Sequence, residues 1–331
     1  MTEKRYVLCR SPSGLNDLLC QFELCRAYAE KYGRILVVDG RHSGGVLGEF
    51  GDYFEMEGSN HVFRMTSPDL PNLESLDCFP PEIFGRLSTL RQVSHPDPAN
   101  SFGANCVDSE SLVSLRFDMN EDYTERLVLR QQWGGGSASF KAVDRLTVEQ
   151  GLAAMISDAI NSLPPGYSAL HIRNTDYRTD VPRLIDAIRP SVRDRDLLVC
   201  SDDAQVFSQV RAGLPDTRVH QITRPAFENG KPLHLTAKSY GAEIRRRVAS
   251  DGILDLCALA GATNLYFSVL SFGVASGDPT KISGFSGLAR YLGEDKARLR
   301  KFLARAGADI LPGISAGKSQ IIGRPARSAG Q

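Results

Sequence analysis

The chain has 331 residues, with 39 Lys and Arg balanced by 39 Asp and Glu and a formal net charge of zero. That length buries a sizeable core and suits two domains at roughly 150 residues each. The balanced charge excludes a polyanion-binding surface over the whole molecule, so no nucleic-acid partner is expected, and it leaves room for a local phosphate pocket.

Seven cysteines (Cys9, Cys20, Cys25, Cys78, Cys106, Cys200 and Cys257) are odd in number, scattered and without a CxxC pair. They read as reduced thiols, not as a disulfide framework or a zinc site. No apolar run approaches the roughly 20 residues that span a bilayer, so no transmembrane segment is expected. The charged start, Met1 to Arg10, leads into a strand and does not have the pattern of a signal peptide. The expectation is a cytoplasmic protein, at most peripheral to the inner membrane.

In chain order, Arg5 to Cys9 reads as a strand, Ser11 to Asp17 as a turn, and Leu15 to Tyr32 as a helix from its apolar spacing. Gly33 suits the helix end, and Ile35 to Asp39 is a second strand closed by a carboxylate. Strand, turn, helix, strand is a βαβ unit and implies a parallel sheet. In the turn, Gly14 allows a tight fold and Asn16 or Asp17 suits a helix cap. Residues 41 to 140 are broken into short pieces by Pro68, Pro71, Pro80, Pro81, Pro96 and Pro98. Trp133, followed by three glycines, reads as a loop anchor or as a face for a sugar ring.

Thr147 to Leu163 is an amphipathic helix ended by Pro164-Pro165-Gly166, and a domain boundary is placed there, between 163 and 164. Tyr167 to Ile172 is a short buried strand that ends abruptly at Arg173-Asn174-Thr175-Asp176-Tyr177-Arg178. In open α/β sheets ligands sit beyond the carboxyl ends of strands, so Arg173 would project at a functional edge, its fork of donors suited to phosphate; alone it would equally suit a surface salt bridge. Further βαβ logic follows. Val181 to Val192 is a helix, Leu197 to Cys200 a strand closed by Ser201-Asp202-Asp203, Ala204 to Ala212 a helix and Arg218 to Ile222 a strand. Gly252 to Leu259 is then a helix, Asn264 to Val269 a strand, and Ser286 to Leu292 and Asp295 to Ala306 are helices. The Gly/Ser/Arg-rich stretch 313–331 is read as a disordered tail, and its near-match to a phosphate loop, Gly313 to Ser319, as chance, being one residue short and without a strand–helix frame.

The order of these motifs resembles the α-1,6-fucosyltransferases, including the rhizobial nodulation enzymes, and their protein O-fucosyltransferase relatives. The resemblance rests on His171-x-Arg173-x-Thr175-Asp176 after a strand, Ser201-Asp202-Asp203 at a strand end, Asp255 on an apolar helix, Ser283-Gly-Phe285-Ser286 opening a helix, and Gly14, Asn16, Asp17, Tyr32, Gly33 and Arg34 near the start. It implies an α/β, GT-B-like chain with two Rossmann-like domains facing a cleft. Residues 1–163 would be the acceptor-side domain and 164–312 the GDP-sugar-binding domain.

It further implies an inverting, metal-independent transferase that moves a sugar, fucose foremost, from a GDP-sugar donor to a glycan or lipo-oligosaccharide. The donor is a substrate, so no cofactor is called for. Arg173 would clamp the diphosphate, and His171, Ser201, Asp202, Ser283, Phe285 and Ser286 would line the donor site. Asp255 would read guanine. Ser271 is an alternative to Ser283 and Ser286 for the diphosphate. The relatives' base, a Glu, has no exact counterpart, which leaves Asp180 or Asp176. Two other readings stand beside this one: a transferase using another nucleotide sugar, and a degenerate nucleotide or glycan binder that transfers nothing.

Overall fold

The computed structural model describes residues 3–44, 46–97, 104–134, 136–175, 179–224, 240–268, 282–303 and the backbone of 318–319. The chain divides into two compact units, one ending at Glu149 and the other beginning at Gln150.

The first unit holds a five-stranded parallel sheet of β1 (Tyr6–Cys9), β2 (Ile35–Val38), β4 (His61–Val62), β5 (Cys78–Phe79) and β8 (Leu127–Arg130), in the order β4-β2-β1-β8-β5. Two antiparallel pairs join it: β3 (Phe54–Met56) with β9 (Leu146–Val148), and β6 (Gln92–Pro96) with β7 (Ala104–Asp108). Helix α1 (Leu15–Tyr32) ends at Gly33, whose φ of 62° is the left-handed C-terminal geometry that glycine adopts without strain. A short helix, α2 (Ala138–Val143), packs against α1.

The expected helix cap is not what Asn16 and Asp17 provide. No side chain caps the start of α1 at Gly14. Instead Asn16 Oδ1 accepts from Ser139 Oγ at 2.8 Å and Asp17 Oδ2 accepts from the Gly134 amide at 3.1 Å. Both side chains tie the glycine-rich loop and α2 to α1. Trp133 packs on the core beside β8, as an anchor does.

The second unit begins with α3 (Gln150–Asn161), which packs on α6 (Ala242–Gly261) instead of closing the first unit. Its sheet has the order β12 (Arg218–His220), β11 (Asp196–Ser201), β10 (Ser168–Ile172), β13 (Asn264–Phe267), β14 (Lys318–Ser319), all parallel. The last strand falls inside the stretch read as a tail. From β10 the chain runs outward through α4 (Val181–Val192), β11, α5 (Ala204–Gly213) and β12 before returning to β13 on the other side of β10. That reversal makes the β10/β13 edge the topological switch point, where doubly wound sheets leave a crevice.

The pleat sorts the side chains of β10. Leu170 and Ile172 join Leu184, Ile185, Ile188, Val206 and Val210 in the core under α4 and α5. His171 turns to the opposite face, against α7 (Gly284–Glu294). Helix α8 (Lys296–Phe302) follows, with Lys296 donating to the carbonyls of Ala260 and Ala262 at 2.6 and 3.1 Å and so closing the end of α6. Helix α6 begins ten residues before the expected Gly252. Its first half carries Arg245 to Arg247, with no apolar stripe to mark it. Among the described residues no helix is long and apolar enough to cross a membrane.

Candidate functional site

Strands β10, β11 and β13 end in step: His171 lies opposite both Cys200 and Phe267, and Ile172 opposite Ser201. Arg173, Asp202 and Ser268 are therefore each the first residue past a strand end, on one edge of one sheet.

His171 is 7 % exposed, its Nδ1 2.7 Å from Ser286 Oγ and its ring 5.1 Å from that of Phe285. Burial, and then the charge of Arg173, push its imidazole down to about 3, so the ring is neutral at physiological pH. Ser283 caps α7: its Oγ accepts from the Ser286 amide at 3.0 Å and lies 2.9 Å from Ser286 Oγ. The start of α7 is thereby fixed against the end of β10 through His171, and the open N–H groups of a helix start suit an anion.

Arg173 is half-buried. Its amide donates to Ser268 Oγ at 3.2 Å and its carbonyl accepts from Thr179 Oγ1 at 2.8 Å. The loop behind it is latched to the end of β11. The Asn174 amide donates to Asp202 Oδ1 at 2.8 Å, Thr175 Oγ1 to Asp202 Oδ2 at 2.5 Å, and Asn174 Nδ2 to Asp203 Oδ2 at 2.8 Å. Asn174 Oδ1 in turn accepts from the Thr179 amide at 3.0 Å. Ser201 Oγ accepts from the Asp203 amide, and Asp203 caps α5. The Ser-Asp-Asp segment thus grips the backbone that carries Arg173.

Asp255, on α6, accepts from Thr223 Oγ1 at 2.8 Å, and burial pushes its carboxyl up to about 7 against hydrogen bonds from Thr223 and Cys200. Through Cys200 it adjoins the same sheet edge as His171. Asp180 is exposed and caps α4, accepting from the Arg183 amide at 3.2 Å. Asp176 and Ser271 lie outside the described residues.

So His171, Arg173, Ser201, Asp202, Asp255, Ser283, Phe285 and Ser286 come together around one strand end, and Asp180 stands at the head of α4. Sequence reasoning passed over Asn174, Thr179, Ser268, Thr223 and Cys200. Asn174, Ser268, Thr223 and Cys200 share one signal, position at or within three residues past a strand end, whereas Thr179 lies just before the cap of α4. Among the described residues no group of three or more His, Cys, Asp or Glu is placed to hold a metal ion.

Solved structures with the same architecture include fucosyltransferase NodZ from Bradyrhizobium, at 20 % identity and a TM-score of 0.58, covering 88 % of this chain and 94 % of that one. This is the GT-B fold of the fucosyltransferases. The NodZ α-1,6-fucosyltransferase co-crystallized with GDP matches over the same shares at 20 % identity and a TM-score of 0.56, and the form soaked with GDP-fucose at 19 % and 0.56. No protein-family model matches the sequence, and a search of curated proteins finds no match.

In the first unit, Arg34, one of the residues that carry the resemblance, and Asp39, which closes β2, both have structural partners. Arg34 is 2 % exposed and donates to the carbonyls of Glu125, at 2.8 Å, and of Tyr123. Asp39, fully buried past β2, receives Arg10 Nη2 at 3.0 Å and Arg41 Nε at 2.9 Å. Burial alone would raise the Asp39 carboxyl, but the Arg41 hydrogen bond and the charge of Arg10 hold it below its usual range.

Proposed function

We propose that the chain is an inverting, metal-independent glycosyltransferase that moves a sugar, fucose foremost, from a GDP-sugar to a hydroxyl of a glycan or lipo-oligosaccharide. The observation that carries this reading is the junction of β10 with α7, where Arg173 follows a neutral His171 locked to Ser286, in a chain with the fold of NodZ, a protein co-crystallized with GDP and soaked with GDP-fucose.

Breaking the anomeric bond loads negative charge onto the departing diphosphate. A guanidinium at a strand end and a helix start facing the same place stabilise that charge without a metal. His171 is a spacer and hydrogen-bond partner here, since a ring neutral at pH 7 adds no charge. Asp255 takes the N1–H and N2–H donors of guanine. The proton of the acceptor hydroxyl goes to a carboxylate of the 176–180 segment.

A second reading, a nucleotide binder that transfers nothing, is favoured by one observation: Asp180 is engaged as the cap of α4. Incubation with GDP-fucose and a glycan panel, reading GDP release and fucosylated product, separates the two. Transfer that Arg173→Ala abolishes, with the fold retained by circular dichroism, supports the enzyme. Stabilisation by GDP with neither release nor product supports the binder.

A further inference from the structure

Asp255 stands where α6, β11 and the segment after β12 meet. Thr223 Oγ1 donates to its Oδ1 at 2.8 Å, and the Cys200 thiol, 2 % exposed, hydrogen-bonds to the same carboxyl. Burial and the neighbouring Asp255 carboxyl hold that thiol well above its usual range, so it stays protonated and donates. Among the described residues, the charged and titratable groups acting on Asp255 are Cys200, from β11, and Asp251, one turn back on α6 and itself drawn to Arg247; Thr223 carries no charge.

Two donors aimed at one carboxyl favour its ionised form, and burial opposes it. Guanine presents two adjacent donors, N1–H and N2–H, and only an ionised carboxylate accepts both. A carboxyl that loses its fixed donors protonates more readily and is no longer held in one rotamer. We infer that Thr223 and Cys200 are the positioning residues that hold Asp255 as a two-oxygen acceptor, and so set both the guanine selectivity and the pH range of nucleotide binding. This rests on the GDP-sugar reading above.

The sign follows from the geometry. Below about pH 7 the Asp255 carboxyl is largely neutral, so GDP affinity rises as pH rises through that value. Removing a donor moves the rise to higher pH.

The test is calorimetric titration of GDP and of IDP, which lacks the 2-amino group, into the full chain between pH 6 and pH 9. Wild type, Thr223→Val, Cys200→Ala and Cys200→Ser are compared. Wild type is expected to prefer GDP and to bind it more tightly as pH rises. Thr223→Val and Cys200→Ala are expected to lower the GDP-to-IDP ratio by roughly tenfold at pH 7, the worth of one hydrogen bond, and to move the pH midpoint upward. Cys200→Ser, which keeps a donor, restores most of both. Cys200 is in the core, so Thr223→Val, at a half-buried position, decides the matter if Cys200→Ala fails to fold. A folded Thr223→Val chain with the wild-type ratio and midpoint overturns this inference alone. A wild type that binds GDP at no pH overturns the donor reading with it.

Discussion

Replacing Asp202 with Ala removes the acceptor of two hydrogen bonds that fasten the loop after β10: the Asn174 amide at 2.8 Å and Thr175 Oγ1 at 2.5 Å. Hydrogen bonds to a charged acceptor contribute about 1.5–3 kcal/mol each. Asp202 is only half-buried, so the lower end applies and the pair is worth about 3 kcal/mol. In a domain of this size that lowers the melting temperature by about 6–12 °C. Asp202→Asn keeps Oδ1 as an acceptor and should lose about half as much. The functional effect lies in the placement of Arg173, whose own carbonyl belongs to the same loop. Misplacing a clamp by about 1 Å costs on the order of 100-fold in transfer, while ground-state GDP binding changes less. Differential scanning fluorimetry gives the first number, and release of GDP from GDP-fucose gives the second. An Asp202→Ala chain that melts with wild type and transfers at the wild-type rate would refute the latch.

Three further outcomes are expected. Ser286→Ala leaves the buried Nδ1 of His171 without its partner at 2.7 Å and should cost about 1–3 kcal/mol in urea unfolding. Gly293→Ala sets a Cβ 2.9 Å from the Ala260 carbonyl oxygen, a backbone atom that side-chain motion cannot clear. It should destabilise by about 1–3 kcal/mol, despite the better helix propensity of Ala, and an equally stable variant would show that α6 and α7 part freely. The third concerns pH. The Asp255 carboxyl is raised by burial to about 7, so between about pH 4, its unfolded value, and pH 7 the folded chain holds the extra proton. Its contribution is full below pH 4 and is lost as pH rises through about 7. Wild type should therefore fall in stability relative to Asp255→Asn over that window in denaturant titrations, and parallel curves would contradict it.

The second unit was the legible half. Its strands are apolar runs that end in polar triplets, Arg173-Asn174-Thr175 and Ser201-Asp202-Asp203, and that pattern marks strand ends beyond any resemblance. In the first unit β1 and β2 are legible as a βαβ pair, but the rest of the sheet is not, because β4 and β5 are two residues each and β8, Leu127–Arg130, has both faces covered, so no period of two shows. Helix α2 is six residues long behind a glycine run, too short for a helical period. Asn16 and Asp17 have the composition of a local cap, yet their partners are residues 139 and 134, and local reasoning cannot see across that span. The same limit applies in the candidate site: Ser286 was in view as a serine at a helix start, but its contact with His171, 115 positions away, exists only once α7 is folded over β10.

The most direct measurement is calorimetric titration of GDP, UDP and ADP into wild type and Arg173→Ala at pH 8. GDP alone should bind wild type, and the Arg173→Ala chain, folded, should bind it at least tenfold more weakly, since a charge-assisted contact is worth roughly 1.5–3 kcal/mol. Equal affinity for all three nucleotides, or GDP binding untouched by the loss of the guanidinium, would contradict a GDP-sugar site at the end of β10.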